Sequence, residues 1–312
     1  MVVSIFFRKF VAKFEKAAFM MIDQFLNYLR YERNRSLRTV QLYEENLRDF
    51  ETYIRGVDDC LSLQTVDADV IRGWMEHMMD EGKKPTTVNL GLSAVRTFYR
   101  YALSRNLVEK DPAHAVTGPK KPKPLPQFVR ESEMDKLLDE TLTADSYNKV
   151  RARTIIIMFY ETGIRLAELV GLNDEDIDLA SMQLKVTGKR DKQRVVPFGE
   201  ELAGMLSEYM TQRDNEVTRQ SPALFLTDRG GRVSRRQVQY LVKKYLSQVT
   251  TLKKRSPHVL RHSFATAMLN NGAGLESVKK LLGHESLNTT EIYTHTTFEQ
   301  LKRVYNEAHP RA

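Results

Sequence analysis

The sequence predicts a mainly α-helical protein of two domains, in which a four-helix bundle precedes an α-rich domain with a small antiparallel β-hairpin. Apolar residues recur at helical spacing along most of the chain, and only one short region alternates apolar and polar residues as a strand does. The stretch TGPKKPKPLPQ is proline-rich and basic, which is typical of an extended linker. We therefore divide the 312 residues into an extension without an assigned role, a first domain, a linker and a second domain, at residues 1–19, 20–116, 117–127 and 128–312.

Four helices are predicted in the first domain. The first begins near Met21. Ser36 and Asp67 can cap the second and third helices by accepting hydrogen bonds from backbone N–H groups, and Pro85 suits the first turn of a fourth. Apolar residues in each helix repeat every three or four positions, which predicts a bundle around one core.

In the second domain, helices are predicted over residues 131–138 and 151–170. A hairpin follows, in which an alternating strand ending at Val186 reverses through Gly188–Lys192 and returns as Arg194–Pro197. Further helices begin after Ser234 and Pro257, and the last predicted helix covers Phe298 to Ala308. The chain therefore places most of its second domain in helices.

The charge of the chain predicts an anionic partner. The net charge is +8, and residues 119–312 carry 31 Lys and Arg against 24 Asp and Glu. Nucleic acid is the first expectation for this partner and an anionic membrane surface the second. Residues 229–258 contain nine basic residues and no acidic one, which favours a DNA-contacting helix over a solvated charged face. The single cysteine, Cys60, excludes an internal disulfide, and no apolar run is long enough for a membrane span. We expect a cytoplasmic protein.

Polar residues suited to phosphate chemistry concentrate between Pro257 and His295, a stretch that holds four of the seven histidines. His258 and Arg261 would lie within one helical turn, and Tyr293 offers a hydroxyl that can act as a nucleophile. The alternative is a surface helix with incidental histidines. Zinc binding by His258 and His262 is disfavoured, since neither a following Glu nor a Cys partner is present.

Two other motifs leave alternatives open. Arg165 and Glu168 would share one face of a helix, where the carboxylate can hold the guanidinium for a phosphate or the two can form a structural pair. Lys189 would stand at the tip of the hairpin, either as a proton donor to a leaving group or as an ordinary charged turn.

The motifs TGIRLAELVGL, VTGKRDKQRVVP, HVLRHSFATAML and LLGHESLNTTEIYTH, in this order, strongly resemble the tyrosine recombinase (integrase) family. The length and the TTEIYTH ending are similar to its Xer-like subgroup, and the first domain resembles the family's SAM-like core-binding domain. The resemblance implies a site-specific recombinase that cuts and rejoins duplex DNA through a Holliday junction. A type IB topoisomerase-like enzyme and a non-catalytic DNA-binding regulator are the alternatives.

The resemblance also implies roles for individual residues. Tyr293 would attack the scissile phosphate and form a 3′-phosphotyrosyl link, while Arg165 and Arg261 would clamp the phosphate oxygens. Lys189 would protonate the leaving 5′-oxygen. His258 would assist proton transfer at the nucleophile, and His284 would donate a hydrogen bond to a phosphate oxygen. Glu168 would support the site without contacting the phosphate itself. No metal or other cofactor is implied.

One departure concerns the hairpin, where Arg190 follows Lys189 and many relatives have Gly, so that Lys192 is the reserve candidate. The family's C-terminal segment packs on a neighbouring protomer in a tetramer on DNA, formed by one protein or with a paralogous recombinase. Leu301, Val304 and Tyr305 would anchor this segment, and a helix packed on its own chain is the alternative.

Basic and hydroxyl side chains outside these motifs are candidate DNA contacts, each with the alternative of a solvated surface group. In the first domain they are Arg35, Arg38, Thr39, Lys84, Thr86, Thr87 and Arg96. In the second domain they are Lys192, Arg235, Arg236 and Lys243.

Overall fold

The computed structural model describes residues 20–58, 60–121, 127–141, 146–188, 191–283 and 295–311. The chain forms two compact units, Met1–Pro124 and Leu125–Ala312, and each contains a hydrophobic core of its own. No helix within the described ranges is long and apolar enough to cross a membrane.

The described part of the first unit is a bundle of four helices, as predicted. They are α1 at residues 20–27, continued by a π-helical turn over Tyr28–Glu32, α2 at Leu37–Val57, α3 at Ala68–Asp80 and α4 at Pro85–Ser104. Both predicted caps are confirmed, because Ser36 accepts a hydrogen bond from the N–H of Thr39 and Asp67 accepts two from the first turn of α3. The core is built around the buried rings of Phe25, Phe50, Trp74 and Phe98.

The second unit packs helices against a small sheet. Its helices are α5 at Glu131–Asp135, continued by a π-helical turn over Lys136–Thr141, α6 at Tyr147–Thr162, α7 at Leu166–Gly171, α8 at Glu200–Glu216, α9 at Arg235–Val249, α10 at Pro257–Asn270, α11 at Leu275–Leu282 and α12 at His295–Ala308. Ser234 caps α9 by accepting from the N–H of Gln237, and Pro257 opens α10. The mainly α-helical fold predicted from the sequence is confirmed.

The prediction of one continuous helix over residues 151–170 is wrong, because the structure has two helices there. Gly163 ends α6 in the left-handed region at φ 59°, and α7 starts at Leu166, directly after Arg165. Glycine adopts this conformation without the steric cost that a β-carbon brings, so it ends the helix. The break places Arg165 at the start of a helix rather than in the middle of one.

The sheet confirms the predicted hairpin and adds a strand to it. Strands β1 at Ile177–Asp178, β2 at Gln183–Thr187 and β3 at Gln193–Pro197 pair antiparallel in that order. Two residues of β1 are too few for a sequence pattern. In the register, Val186 pairs with Arg194, and both side chains lie on the buried face.

Helices α10, α11 and α12 share a hydrophobic cluster that covers one side of the second unit. In this single chain, α12 packs on its own unit, with Leu301 and Tyr305 buried and Val304 partly buried. The Tyr305 hydroxyl donates a hydrogen bond of 3.2 Å to Glu161, and the Asn271 amide donates one of 3.0 Å to the last carbonyl of α12. The three predicted anchor residues thus pack against their own chain here. Packing of this helix on a neighbouring protomer stays a prediction.

Candidate functional site

Arg165 and Glu168 form the ion pair that their spacing suggests. Arg165 precedes the first residue of α7. The backbone N–H and the Nη1 of Arg165 donate hydrogen bonds of 2.7 and 2.9 Å to the Glu168 carboxylate. The Glu168 side chain is only 2% exposed, whereas that of Arg165 is 38% exposed. The buried carboxylate of Glu168 therefore holds Arg165 and leaves part of the guanidinium accessible to solvent.

A third residue, Arg194 of β3, also pairs with Glu168. Its Nη1 and Nη2 donate to the two oxygens of Glu168 at 2.7 and 3.0 Å, a two-pronged pairing that fixes the planes of both groups. Burial alone would raise the pKa of Glu168, but the hydrogen bonds and charge of Arg194, with those of Arg165, hold this pKa below its ordinary value. Glu168 is therefore ionised at neutral pH.

Arg261 enters the same region from α10 and is itself buried. It donates 2.5 Å and 2.6 Å hydrogen bonds to the carbonyls of Gly163 and Leu282. Burial lowers the pKa of Arg261 to about 10, and the charges of Arg165 and Arg194 act in the same direction. The group remains a cation at neutral pH, in a place where its charge is costly without an anion.

Three arginines converge on the end of α11. The carbonyls of Leu281, Leu282 and Gly283 accept hydrogen bonds from Arg194 at 3.1 Å, Arg261 at 2.6 Å and Arg165 at 2.8 Å. The last carbonyls of a helix have no partner within the helix and carry its partial negative charge, so cations suit them. The arrangement fixes the chain at Gly283, one residue before His284.

Two glycines make this close approach possible. A β-carbon on Gly163 would lie 2.5 Å from a ring carbon of Phe264 and 2.8 Å from a methyl carbon of Leu282. A β-carbon on Gly283, where φ is 63°, would lie 3.1 Å from three atoms of the Arg194 guanidinium. Only glycine suits both the conformation and the space at these two positions.

The other predicted site residues are distributed as follows. His258 is exposed on α10, one turn before the buried Arg261. Lys192 is exposed in the turn before β3, and its carbonyl accepts a 2.8 Å hydrogen bond from Gly188. The remaining three, Lys189, His284 and Tyr293, lie outside the described residues.

The basic helix α9 presents its charged side chains to solvent. Arg235, Arg236 and Lys243 are exposed, while Val238, Val242 and Leu246 are buried on the opposite side. The helix α9 therefore has a buried apolar side and an exposed basic side. The exposed side is a candidate nucleic-acid surface, since one run of cations faces the solvent there.

In the first unit, a polar cleft between α1, α2 and α4 contains three arginines. Arg35, a predicted DNA contact, lines it together with Arg33 and Arg100, which the sequence analysis does not single out. Most of the other predicted contacts lie exposed at helix starts, namely Arg38, Lys84, Thr86 and Thr87. Thr39 hydrogen-bonds Ser36 at 2.8 Å, and Arg96 donates to the carbonyls of Ala113 and Val116, which gives Arg96 a structural task.

Arg194 is the site residue that sequence reasoning missed. A signal was present, because Arg194 and Val196 are two apart in a strand and so share a face. Its partners, however, are 26 and 87 residues away, at Glu168 and Leu281. Such long-range partners cannot be read from local spacing.

The chain is similar to known proteins over nearly its whole length. Residues 127–300 match the model of the phage integrase family, and residues 22–106 match that of the phage integrase N-terminal SAM-like domain. The tyrosine recombinase XerC of Chlorobaculum tepidum is 36% identical over 96% of this chain and 97% of its own length. The tyrosine recombinase XerC of Pelotomaculum thermopropionicum is 38% identical over 94% of this chain and 99% of its own.

Solved structures share the fold. The XerH site-specific recombinase bound to a palindromic difH substrate, in a post-cleavage complex, has a TM-score of 0.70 at 23% identity, and the match covers 87% of this chain and 80% of that one. A lambda integrase dimer bound to a COC′ core site has a TM-score of 0.65 at 17% identity, covering 88% of this chain and 98% of that one. The shared fold is a SAM-like helical domain followed by an α-rich domain with a small sheet.

Proposed function

Because the chain belongs to the phage integrase family of site-specific tyrosine recombinases, enzymes that cleave and rejoin DNA, we propose that Tyr293 is its nucleophile. Attack by the Tyr293 hydroxyl on the scissile phosphorus forms a 3′-phosphotyrosyl bond and breaks the bond to the 5′-oxygen. The 5′-hydroxyl of the partner strand later reverses this exchange, so the phosphotyrosine conserves the bond energy and no nucleotide hydrolysis is required. A topoisomerase-like or non-catalytic role is not favoured, since the relatives are named tyrosine recombinases.

The observation that carries the proposal is the convergence of Arg165 and Arg261 on one helix end. Both guanidinium groups donate to consecutive carbonyls at Leu282 and Gly283, and the chain continues from there toward Tyr293. Two fixed cations beside the nucleophile's segment can neutralise the charge that grows on the non-bridging oxygens as the phosphorus becomes pentacoordinate. Removing one such donor typically costs about 10²–10³ in rate.

Proton transfers fall to the remaining candidates. Lys189, next to Gly188 of the hairpin, protonates the leaving 5′-oxygen, with Lys192 as the reserve. His258 is exposed one turn from Arg261, where it can assist proton transfer at the nucleophile, and His284 donates to a phosphate oxygen. These roles follow from the family resemblance and from the placement of the described neighbours.

We propose a recombination site in duplex DNA as the substrate and a synaptic tetramer as the active assembly, made of this protein alone or with a related recombinase. Resolution of chromosome dimers is the task that relatives named XerC favour, with mobile-element integration or inversion as the other outcomes. The exposed cations of α9 and the arginine cleft of the first unit contact phosphates in this proposal. The expected compartment is the cytoplasm, where such DNA lies.

The test begins with DNA captured by the protein in cells. Covalent protein–DNA complexes are isolated under denaturing conditions, the attached DNA is sequenced, and the modified peptide is mapped by mass spectrometry. We expect the adduct on Tyr293 and reads that concentrate at one site. Reads scattered over the genome would contradict site specificity. Reads at the ends of mobile elements would favour integration or inversion of such elements over chromosome-dimer resolution.

A short duplex of the recovered sequence, nicked beside the scissile phosphate so that rejoining fails, then measures cleavage directly. Tyr293→Phe should abolish the covalent product while DNA affinity stays within about threefold, because one hydroxyl is removed from a large charged interface. An adduct that persists in this variant would refute the assignment. Cleavage by the wild type should be unchanged by EDTA, and a strong loss would contradict the proposed metal-free mechanism.

A further inference from the structure

We propose that Arg194, buried in β3, is a positioning residue for strand cleavage, which holds Glu168 against Arg165 and fixes the end of α11. This inference rests on the proposed function, since it concerns the same site. Arg194 does not itself face the substrate in this proposal. It acts through the residues that do.

The guanidinium of Arg194 is fully committed to protein partners. Its Nε donates to the Leu281 carbonyl at 3.1 Å, and its Nη1 and Nη2 donate to Glu168 at 2.7 and 3.0 Å. Each nitrogen therefore has an acceptor, and the side chain is only 8% exposed. By contrast, Arg165 is 38% exposed and can meet a phosphate. Burial alone does not distinguish a positioning residue from a catalytic one, since Arg261 is also 8% exposed. What sets Arg194 apart is that its fork is committed to the carboxylate of Glu168.

The strand register places Arg194 where an apolar residue would serve stability better. It pairs with Val186 on the buried face of the sheet, beside Val196. A buried ion pair is weak evidence for stability, because desolvation of both charges offsets most of their attraction. What Arg194 provides instead is geometry, since a fork that binds both oxygens of Glu168 fixes the carboxylate plane.

That plane determines where Arg165 points. The same oxygen, Oε1 of Glu168, accepts from Arg194 at 2.7 Å and from Arg165 at 2.9 Å. The hairpin reaches the same atom, because a β-carbon on Gly188 would lie 3.5 Å from it. A change at Arg194 is therefore transmitted to Arg165 and to the start of the turn that contains Lys189.

The second connection runs to α11. The guanidinium of Arg194 lies against Gly283, where a β-carbon would be 3.1 Å from its Cζ, Nε and Nη1. Together with the bond to Leu281, this contact fixes the last turn of α11 to the sheet. The chain leaves this turn toward His284 and Tyr293. One residue thus couples the helix end, the acid and the hairpin.

Loss of Arg194 has a consequence that depends on pH. Among the described residues, the charged side chains acting on Glu168 are Arg165 from the start of α7, Arg194 from β3 and, through its charge, Arg261 from α10. Burial raises the pKa of Glu168, and Arg194 is the largest opposing influence. Without it the pKa rises, so the carboxyl group takes up a proton as the pH falls and Arg165 loses its anionic partner.

The experiment compares Arg194→Met and Arg194→Lys with a matched control, Arg213→Met, in the full chain. Arg213 is also a buried arginine, 0% exposed, and its fork pairs with Asp174 at 2.7 and 2.9 Å, but it lies in α8 and is not part of the site. Covalent adduct formation on the nicked duplex, DNA affinity and thermal stability are measured for each variant. Adduct rates are followed from about pH 5.5 to about pH 8.

We expect Arg194→Met to lose about 10²-fold in adduct rate, the cost of a misplaced catalytic group, with DNA affinity within about threefold. Its rate should fall further toward low pH, while the wild-type rate changes less over the same range. Arg194→Lys keeps a charge beside Glu168 but not the fork, so it should lose less and show a weaker pH effect. Arg213→Met should lose stability and retain the adduct rate of its folded fraction.

Equal adduct rates in folded Arg194→Met and wild type would overturn the inference, as would a loss matched by Arg213→Met with the same pH profile. If Arg194→Met does not fold, Arg194→Lys decides alone, and a rate within about twofold of wild type at every pH would refute the role. Failure of the proposed function is a separate result, because wild-type protein would then form no adduct on Tyr293.

Discussion

Replacing Gly163 by alanine tests whether the junction of α6, α10 and α11 sets both stability and activity. Gly163 sits at φ 59°, and its carbonyl accepts a hydrogen bond from Arg261. A new β-carbon would overlap a ring carbon of Phe264 at 2.5 Å and a methyl carbon of Leu282 at 2.8 Å. Phe264 is fully buried and stacks on His309, so its ring has little room to move.

The expected cost has two parts. A non-glycine residue in the left-handed region costs about 1–2 kcal/mol, and forcing a methyl group into a packed core costs about 1–3 kcal/mol. Together they amount to a loss of about 2–5 kcal/mol in the free energy of unfolding. For a unit the size of Leu125–Ala312, each kcal/mol lowers Tm by about 2–4 °C, so a decrease of about 4–20 °C is expected.

Urea and thermal denaturation followed by far-ultraviolet circular dichroism measure this loss. The single tryptophan, Trp74, is buried in the first unit, so its fluorescence reports that unit separately. Gly204→Ala is the matched control, since Gly204 lies inside α8 with nothing within 4 Å of the added β-carbon. This control should gain about 0.5–1 kcal/mol, because alanine is favoured over glycine in a helix.

The activity should fall together with the stability. Because Leu282 is displaced, its carbonyl moves relative to Arg261, and the adduct rate of the folded Gly163→Ala protein should drop more than its DNA affinity. A free energy of unfolding within about 0.5 kcal/mol of wild type would refute the packing argument. A destabilised variant with an unchanged adduct rate would refute the connection from this junction to the site.

Two further predictions concern a buried acid and the basic helix. Glu161 is 0% exposed, accepts hydrogen bonds from the Gly199 N–H and the Tyr305 hydroxyl, and has a pKa that burial raises to about 8. Because Glu161 ionises first in the unfolded chain as the pH rises from about 4.5 to about 8, the contribution of this group to stability falls across the window. In urea denaturation, Glu161→Gln should match wild type near pH 5 and exceed it near pH 8, and equal stability at both would contradict this sign. Arg235→Gln with Arg236→Gln should lower the slope of log affinity against log salt by about 0.9 for each phosphate that the variant no longer neutralises, and an unchanged slope would remove α9 from the DNA interface.

Local signals made much of the fold predictable from sequence. Helix starts at Ser36, Asp67 and Ser234 were readable because a cap and its partner lie within three residues. The hairpin was readable from strand alternation. The pairing of Arg165 with Glu168 was readable for the same reason as the caps, since the two are three residues apart.

What the sequence did not reveal depends on distant residues. Gly163 ends a helix through its own backbone conformation, but the residues that exclude a β-carbon there, Phe264 and Leu282, lie about a hundred residues later in the chain. The charge of Arg96 predicts a DNA contact, and the structure adds a role that the sequence does not show, because its guanidinium donates to two backbone carbonyls. Charge alone does not distinguish an arginine that faces a ligand from one that holds a loop.

The site's charge balance explains why substrate and structure depend on each other in the proposed function. Arg165 and Arg194 share the carboxylate of Glu168, and all three arginines donate to carbonyls at the end of α11, which carry only partial charges, roughly half a charge in total. Burial lowers the pKa of Arg261, and the positive charges of Arg165 and Arg194 act in the same direction. In the proposed function, the phosphodiester brings a negative charge that offsets the repulsion between Arg165 and Arg261. Because both guanidinium groups also donate to the end of α11, we expect them to hold the phosphate beside that helix end, from which the chain leads on to Tyr293.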